Sequence, residues 1–420
     1  MRLNLLGINH HSAPVAVREK VSIQAVRLPE VLSLLKKIAH HGVVISTCNR
    51  TEIYTLEDDS NGGSMALDFL AGYAGVLPDD VHEHLYCYKD RQAAEHLFKV
   101  ASGLDSMIVG EYEILGQIGQ LFEAAEEARL VNLPLRRVFQ DAIRIGRTVR
   151  DETNISKNAL SVSSVAIELA GRIVKDIAAC RLLVIGAGEA GRLVAQTARD
   201  RGTTSITVAS RKLLRAETLA DELGGKAVEF ENIFSELGDY DLIITCADAP
   251  HCIINFGHLD VAMRNRNGNP LVMIDIAVPR NVEAAVKDLK GVYLYNIDDL
   301  NDVSEQNHNL RKKEINRVEK IIAAEADKFD EWWCNLSIRP VIGALVSKAN
   351  RIRHAHLEKT IKKLPPLSEE EKYSLDKMTE SIVIKLLKGP INTLKENTND
   401  NGDYARIIND IFRLDEEEAE

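Results

Sequence analysis

The sequence predicts an α/β chain of several domains: a small N-terminal α+β unit, a doubly wound parallel sheet, and an all-α C-terminal region joined on by one long helix. Three observations carry that expectation. Short apolar runs at 181–186, 205–209, 241–246, 271–276 and 292–295 alternate with helical stretches, the pattern of a parallel sheet covered on both faces. Residues 292–339 contain neither Gly nor Pro, so nothing in them breaks a helix. The length of 420 residues leaves room for two or three domains of roughly 150 residues.

Taken in order, residues 3–9 read as a strand, and residues 23–39 as a helix with Val26, Val31, Leu34, Leu35 and Ile38 on its apolar stripe. Val43-Val44-Ile45 and Glu52-Ile53-Tyr54-Thr55 follow as strands, giving a βαββ unit. From about residue 79 to residue 150 the pattern is helical, with Gly103, Gly110 and Pro134 as interruptions. The long helix is expected over 303–336, on the order of 50 Å at 1.5 Å per residue. Ile315, Ile322, Phe329 and Leu336 recur every seven residues along it, Val318 and Trp332 form a second row, and Glu325 interrupts that row. Such a stripe needs later helices or a second copy of the chain to cover it. Residues 345–388 and 403–413 are charged and helical, and the acidic end at 415–420 reads as a solvated tail.

Composition narrows the class. Apolar residues are 45% and charged residues 27% of the chain, which is globular rather than disordered. No run of about 18 apolar residues suggests a membrane span, and the strand-like start lacks a signal-peptide core, so a soluble cytoplasmic protein is expected. Six scattered cysteines form no C-x-x-C pair, which predicts neither a disulfide framework nor a metal site. A net charge of −11 argues against non-specific nucleic-acid binding. Two local basic faces remain candidates: Arg136, Arg137, Arg144, Arg147 and Arg150, or Lys348, Arg351, Arg353, Lys359, Lys362 and Lys363.

The segment Gly186-Ala187-Gly188-Glu189-Ala190-Gly191 follows an apolar strand and opens a helix. Those glycines allow a tight turn and close approach of a pyrophosphate to the helix N-terminus, the mechanics of a Rossmann-type dinucleotide site. After the second strand stands Ser210-Arg211-Lys212, a hydroxyl and two cations in place of the carboxylate that would select a free ribose hydroxyl. That favours NADP over NAD. Cys48 falls where a strand runs into a loop, with Arg50 two residues on. Local sequence leaves it between a low-pKa nucleophile and a packed apolar residue. His96, on a helical stretch, stays equally open between a functional and a core histidine.

Those residues belong to longer blocks. Gly7-Ile8-Asn9-His10-His11-Ser12-Ala13-Pro14, Ser46-Thr47-Cys48-Asn49-Arg50-Thr51-Glu52 and residues 100–111 stand in order along the chain. Ile114-Leu115-Gly116-Gln117, the glycine loop, Asp275-Ile276-Ala277-Val278-Pro279-Arg280 and residues 293–300 continue the series. Together they resemble the glutamyl-tRNA reductase family. The resemblance implies a catalytic domain at 1–153, an NADPH-binding domain at 154–300, and a long helix with a dimerisation domain at 301–420. It implies NADPH-dependent reduction of glutamyl-tRNA(Glu) to glutamate-1-semialdehyde, the first step of tetrapyrrole synthesis, through a thioester on Cys48. His96 falls on a family histidine that matters for activity. Thr47, Asn49, Arg50, Ser106, Glu111, Tyr112, Glu113 and Gln117 fall on or beside positions that hold the glutamyl group. Gly186, Ala187, Gly188, Glu189, Ala190, Gly191, Ser210, Arg211 and Lys212 take the nucleotide. Arg50 is the implied partner of the substrate carboxylate, and Glu111 of its ammonium group. A homodimer and handover of the aldehyde to glutamate-1-semialdehyde aminomutase are further implications. Tyr112-Glu113, where the family usually has Pro-Gln, and residues 388–393 depart from the family pattern. Two other readings remain open: a non-catalytic nucleotide- or tRNA-binding relative, and a shikimate-dehydrogenase-like reductase. The first leaves Cys48, His96 and Arg50 unexplained, the second Cys48 and the long helix.

Overall fold

The computed structural model describes residues 2–57, 64–75, 81–156, 161–174, 176–264, 266, 268–396 and 403–414. They form two units, Arg2–Ala323 and Ala324–Glu420. The expected tail at 415–420 lies outside the described residues.

The first unit opens with an antiparallel sheet of β1 (Arg2–Asn9), β2 (Gly42–Ser46), β3 (Arg50–Glu57) and β4 (Tyr86–Lys89), in the order β2-β3-β1-β4. Ser46 pairs with Thr51 and Asn9 with Arg50, so residues 47–49 form a short loop at one end of the sheet. Every residue of β3 is buried. Alternate side chains of a strand share a face, which places Arg50, Glu52 and Tyr54 together. Around the sheet lie α1 (Val15–Val21), α2 (Leu28–Ile38), α3 (Ser64–Ala74), α4 (Asp90–Ala101), α5 (Glu113–Glu127) and α6 (Leu133–Glu152).

Three details differ from the expectation. Val26 is 79% exposed, in a separate 3-10 turn ahead of α2 rather than on its apolar stripe. β4 interrupts the region expected to be wholly helical, because its four residues are too short for a period-2 signal to show. Pro134 begins a helix instead of breaking one. It occupies the first turn of α6, where its missing N–H costs nothing, and Asn132 caps that turn through the Leu135 N–H at 3.1 Å.

After α7 (Val162–Ile173) comes the parallel sheet: β5 (Arg181–Ile185), β6 (Ser205–Ser210), β7 (Lys226–Glu229), β8 (Leu242–Thr245), β9 (Leu271–Asp275) and β10 (Val292–Asn296). Its order is β10-β9-β8-β5-β6-β7, with every pair parallel. Helices α8 (Glu189–Asp200), α9 (Leu213–Leu223) and α10 (Phe256–Arg264) connect the strands. Leu182 and Val184 enter one apolar cluster with Val165, Val194 and Leu219, while Leu183 and Ile185 enter another with Ile233 and Leu259. A sheet buried on both faces is why its strands read as continuous apolar runs. The order reverses between β5 and β8, and such a switch point opens a crevice beyond the strands' carboxyl ends.

Helix α11 (Asn301–Ile361) is longer than predicted, continuing through Pro340. A proline in a helix loses one bond to the preceding turn. Here Ile338 and Leu345 on either side of it are buried in a cluster with Leu387 of α12 (Glu369–Glu396) and Ile408 of α13 (Asp403–Ile411). The buried row on α11 also differs from the heptad expected. Ile315, Val318, Ile322, Ala326, Phe329 and Trp333 are buried, whereas Trp332 and Leu336 are half-buried. Spacings of 3, 4, 4, 3 and 4 follow the straight-helix period near 3.6 rather than the 3.5 of a supercoil. Ala326 thereby takes the inward place expected for residue 325. Among the described residues no helix is long and apolar enough to cross a membrane.

Candidate active site

The loop between β2 and β3 carries Cys48, and local bonds fix its shape. Thr47 N–H donates to the Arg50 carbonyl at 2.8 Å, His10 N–H to the Asn49 carbonyl at 3.0 Å, and Asn49 N–H to Thr47 Oγ1 at 3.2 Å. Arg18 Nη1 donates to the Cys48 carbonyl at 2.7 Å. Cys48 is partly exposed, on the wall of a cavity of about 330 Å³. Thr47, Asn49, Glu111, Glu113 and Gln117 line the same cavity, as do Ala190, residues 246–248 and residues 276–278 of the parallel-sheet domain. The Asn49 side-chain oxygen is buried and has no hydrogen-bond partner among the described residues.

Of the two readings left open for Cys48, a thiol lowered by Arg50 is not what the structure shows. Burial, then the charge of Glu111, pushes the thiol up to about 12; Arg18 pulls it down, and Glu113 pushes it up again. Arg50 is committed elsewhere. Its Nη1 donates to Glu52 Oε1 at 2.8 Å and to Asp105 Oδ2 at 2.7 Å, and its Nη2 to the Asp105 carbonyl. Glu52 is the hub of this cluster. Tyr54 OH donates to its Oε2 at 2.8 Å, Tyr86 OH to its Oε1 at 2.7 Å, and His96 Nε2 lies 2.8 Å from Oε1. Burial alone pushes the Glu52 carboxyl up, but His96 and Arg50 override it and hold the group well below the usual carboxylate range.

Arg50, His96 and Ser106 are therefore buried beside the cavity and do not line it. Sequence reasoning named Arg50 and His96 but missed the groups that hold them: Glu52, Asp105, Tyr54 and Tyr86. A signal was present for Glu52, a carboxylate between apolar residues of a strand with a cation two positions away on the same face. Gly7 is a second signal. A Cβ there would stand 2.5 Å from the Tyr86 ring, so the glycine is what lets Tyr86 reach Glu52.

The start of α5 and the residues just before it present carboxylates to both sides. Glu111 and Glu113 face Cys48, and with Tyr112, Gln117, Ser161 and Glu189 they also line an adjoining cavity of about 320 Å³. Burial raises the Glu111 carboxyl, against the pull of Ser106, Arg50 and Arg150. Burial, Glu111 and Glu189 push Glu113 up to about 7. Arg150 turns inward: Nη1 donates to the carbonyls of Ala101 at 2.8 Å and Gly146 at 2.7 Å, and Nη2 to the Glu111 carbonyl at 3.0 Å. That removes Arg150 from the first candidate basic face. On that face Arg136 pairs with Glu126, and Arg137 and Arg144 pair with Asp141.

Across the cavity, Gly186 follows β5 at φ +125, and a Cβ there would meet the Cys246 carbonyl carbon at 2.8 Å. A Cβ on Gly191 would stand 1.8 Å from the Gly186 carbonyl oxygen. At Gly188 a Cβ would meet nothing within 4 Å. Two glycines are thus required by the protein's own packing, while the third leaves open space at the start of α8. The first amides of that helix have no carbonyl of the preceding turn to bond. Open space and amides together fit a pyrophosphate. Ser210 ends β6, Arg211 Nη2 donates to the Asp248 carbonyl at 2.9 Å, and Lys212 is exposed. Asp275 braces the facing loop. It accepts from Thr245 Oγ1 at 2.8 Å and from the N–H groups of Ala277, Asn281 and Val282 at 3.1, 2.7 and 2.9 Å. Among the described residues no group of three or more His, Cys, Asp or Glu side chains is placed to hold a metal ion.

Comparison with known proteins finds matches along three parts of the chain. Residues 6–153 match the family model for the N-terminal domain of glutamyl-tRNAGlu reductase, and residues 317–414 the model for its dimerisation domain. Residues 168–303 match the shikimate/quinate 5-dehydrogenase model. Glutamyl-tRNA reductase of Bacillus subtilis is 36% identical over 422 residues, covering 100% of this chain and 93% of that protein. The Carboxydothermus hydrogenoformans enzyme is 39% identical, with 99% and 93% covered. The solved glutamyl-tRNA reductase of Methanopyrus kandleri is 31% identical, with a TM-score of 0.53 and 99% of both chains covered. A dehydrogenase-type sheet flanked by two domains of one reductase, matched over its whole length, makes this chain a member of the glutamyl-tRNA reductase family of oxidoreductases.

Proposed function

We propose that this chain reduces the glutamyl ester of tRNA(Glu) to glutamate-1-semialdehyde with NADPH, releasing the tRNA, by way of a thioester on Cys48. The observation that carries it is the shared cavity: Cys48 on one wall, Ala190 and residues 246–248 of the nucleotide crevice on the other. A nucleophile and a hydride donor that must act on one carbonyl carbon need such a common space.

The Cys48 sulfur attacks the ester carbonyl, the tRNA hydroxyl leaves, and the glutamyl group stays on the enzyme as a thioester. A thioester is more electrophilic than a carboxylate, which is what divides one hard reduction into two easier steps. Burial first, then Glu111 and Glu113, opposes ionisation of the thiol. The substrate's ammonium group, seated against the two carboxylates, neutralises their share of that opposition, and Glu113 is poised near pH 7 to take the thiol proton. Asn49 offers its unpartnered oxygen to the same ammonium group, while Thr47 and Gln117 border the glutamyl chain. A side-chain carboxylate reaches Arg50 by exchanging with Asp105, which matches it in charge and geometry. His96, bonded to Glu52, orients the cluster from behind. NADPH, when bound, would supply the hydride for this reduction, in which the Cys48 thiolate leaves as the aldehyde forms. Gly188 and the amides of residues 189–191 would hold its pyrophosphate, and Ser210, Arg211 and Lys212 its 2′-phosphate.

For the tRNA, the face formed by Arg351, Lys359, Lys362 and Lys363 is the better candidate: all four are exposed and none is in an ion pair among the described residues, whereas Arg136, Arg137 and Arg144 each are. The C-terminal helices pair two copies into a homodimer, the product passes to the aminomutase, and the enzyme works in the cytoplasm. Product analysis with glutamyl-tRNA tests the core of this scheme. Wild type forms semialdehyde with NADPH and releases glutamate without it. Cys48→Ser binds NADPH and forms neither product; full activity in that variant would overturn the thioester.

A further inference from the structure

Two ion pairs join α1 to the parallel-sheet domain. Arg280 grips Glu19 through Nε at 2.9 Å and Nη2 at 2.6 Å. The preceding residue, Arg18, its side chain only 2% exposed, bonds Asp298 through Nη2. The other Asp298 oxygen accepts from the Val15 N–H at 2.8 Å, at the start of α1. Asp298 is itself held in the turn after β10, where its N–H donates to Asn296 Oδ1 at 2.7 Å. Around these bonds Val15, Met107 and Ile297 form an apolar cluster against which Cys48, Val162 and Val278 pack.

The two pairs differ in one respect. Glu19–Arg280 connects the domains and nothing more, whereas the second nitrogen of Arg18 donates to the carbonyl of Cys48 at 2.7 Å. One rigid guanidinium thus touches the nucleotide domain at one end and the backbone of the reactive loop at the other. Arg18 is also the cation that pulls on the Cys48 thiol, against Glu111 and Glu113 on the facing segment. A planar fork transmits a displacement of one partner to the other, which a flexible ammonium group does not.

We propose that Arg18 is a positioning residue that couples docking of the nucleotide domain, through Asp298, to the placement of the Cys48 loop, so that the thioester forms where the hydride can reach it. This rests on Cys48 as the nucleophile. Its consequence is a partition: an acyl group on a misplaced loop is lost to water instead of being reduced.

The test measures that partition with glutamyl-tRNA and saturating NADPH, as semialdehyde formed against glutamate released. Asp298→Asn is expected to lower the ratio by about tenfold, while glutamate release without NADPH and the Kd for NADPH stay within about twofold. Arg18→Gln is expected to lower the ratio too and to slow iodoacetamide labelling of Cys48 at a fixed pH of about 8, read on its own peptide by mass spectrometry. Arg18→Lys should restore the labelling rate but not the ratio. Glu19→Gln, which loosens the same domain contact without touching the loop, should leave the ratio near wild type. A wild-type ratio in Asp298→Asn, or an equal fall in Glu19→Gln, overturns the coupling. Should the Arg18 variants not fold, the Asp298 and Glu19 variants decide alone, since both carboxylates are partly exposed. Glutamate release by Cys48→Ser would instead sink the nucleophile itself, whatever the ratio does.

Discussion

Glu52 on the antiparallel sheet and Asp275 on the parallel sheet are buried carboxylates behind opposite walls of one cavity, and they are held in opposite ways. Glu52 meets a guanidinium, an imidazole and two phenols. Asp275 meets a hydroxyl and three backbone N–H groups, all neutral. Burial pushes both carboxyls up. At Glu52 His96 and Arg50 reverse that push, whereas at Asp275 the neutral donors pull against it incompletely and the group settles at about 6. A full set of hydrogen bonds does not keep a buried acid ionised as a neighbouring cation does. The wall that carries Cys48 is therefore organised by charge, and the parallel-sheet wall by backbone geometry.

The largest effect that would sharpen this contrast is expected at Glu52. Glu52→Gln removes the negative hub while Arg50 stays buried, and breaking a buried pair from one side costs about 3–5 kcal/mol. Urea unfolding at pH 7 reads it directly. Because the folded Glu52 lies below its ordinary value of 4.5, its contribution is complete above that pH and is lost only as the pH falls further. The penalty in Glu52→Gln should then be flat from about pH 7.5 to about pH 5.

Asp275→Asn should behave otherwise. The folded group titrates near 6 against an ordinary 3.8, so its contribution is complete below 3.8 and is lost as the pH rises through about 6. The variant gives up one acceptor but escapes the cost of a buried charge, for a penalty of about 1 kcal/mol at pH 7.5. That penalty should grow as the pH is lowered toward 5. Equal and flat penalties for the two variants would mean that the neighbouring cation does not distinguish the two sheets.

This contrast also explains what the sequence could reveal. The parallel-sheet domain was legible because its requirements are local: apolar runs, Gly186 at positive φ, and Gly191 against the turn it closes all sit within a few residues of one another. The charged wall was legible only in part. Glu52 meets Tyr86 across 34 residues and His96 across 44, and Arg50 meets Asp105 across 55, separations at which no periodicity connects the partners. Family resemblance supplied Arg50 and His96 as names, but their burial behind the cavity required the fold. The long helix α11 was foreseen, but its end was placed too early for the same reason. Pro340 is a local stop signal, and the cluster around Ile338 and Leu345 that overrides it is assembled from helices up to 70 residues away.

The smallest effect is the most discriminating for the charged wall. Glu52 Oε1 has three neighbours, Arg50, Tyr86 and His96, so Tyr86→Phe takes away one donor and leaves two. The ring still lies against Gly7, and the volume of the site is kept. If the partners act as separate hydrogen bonds, the loss in urea should be about 1 kcal/mol, independent of pH between about 5 and about 7.5. Semialdehyde formation should fall by less than about threefold, since Tyr86 lines no part of the cavity. A loss near that of Glu52→Gln would show instead that the phenol, the carboxylate and the guanidinium form one cooperative network. The antiparallel sheet would then hold its loop through a single interdependent cluster, and the contrast with Asp275 would lie in cooperativity as well as in charge.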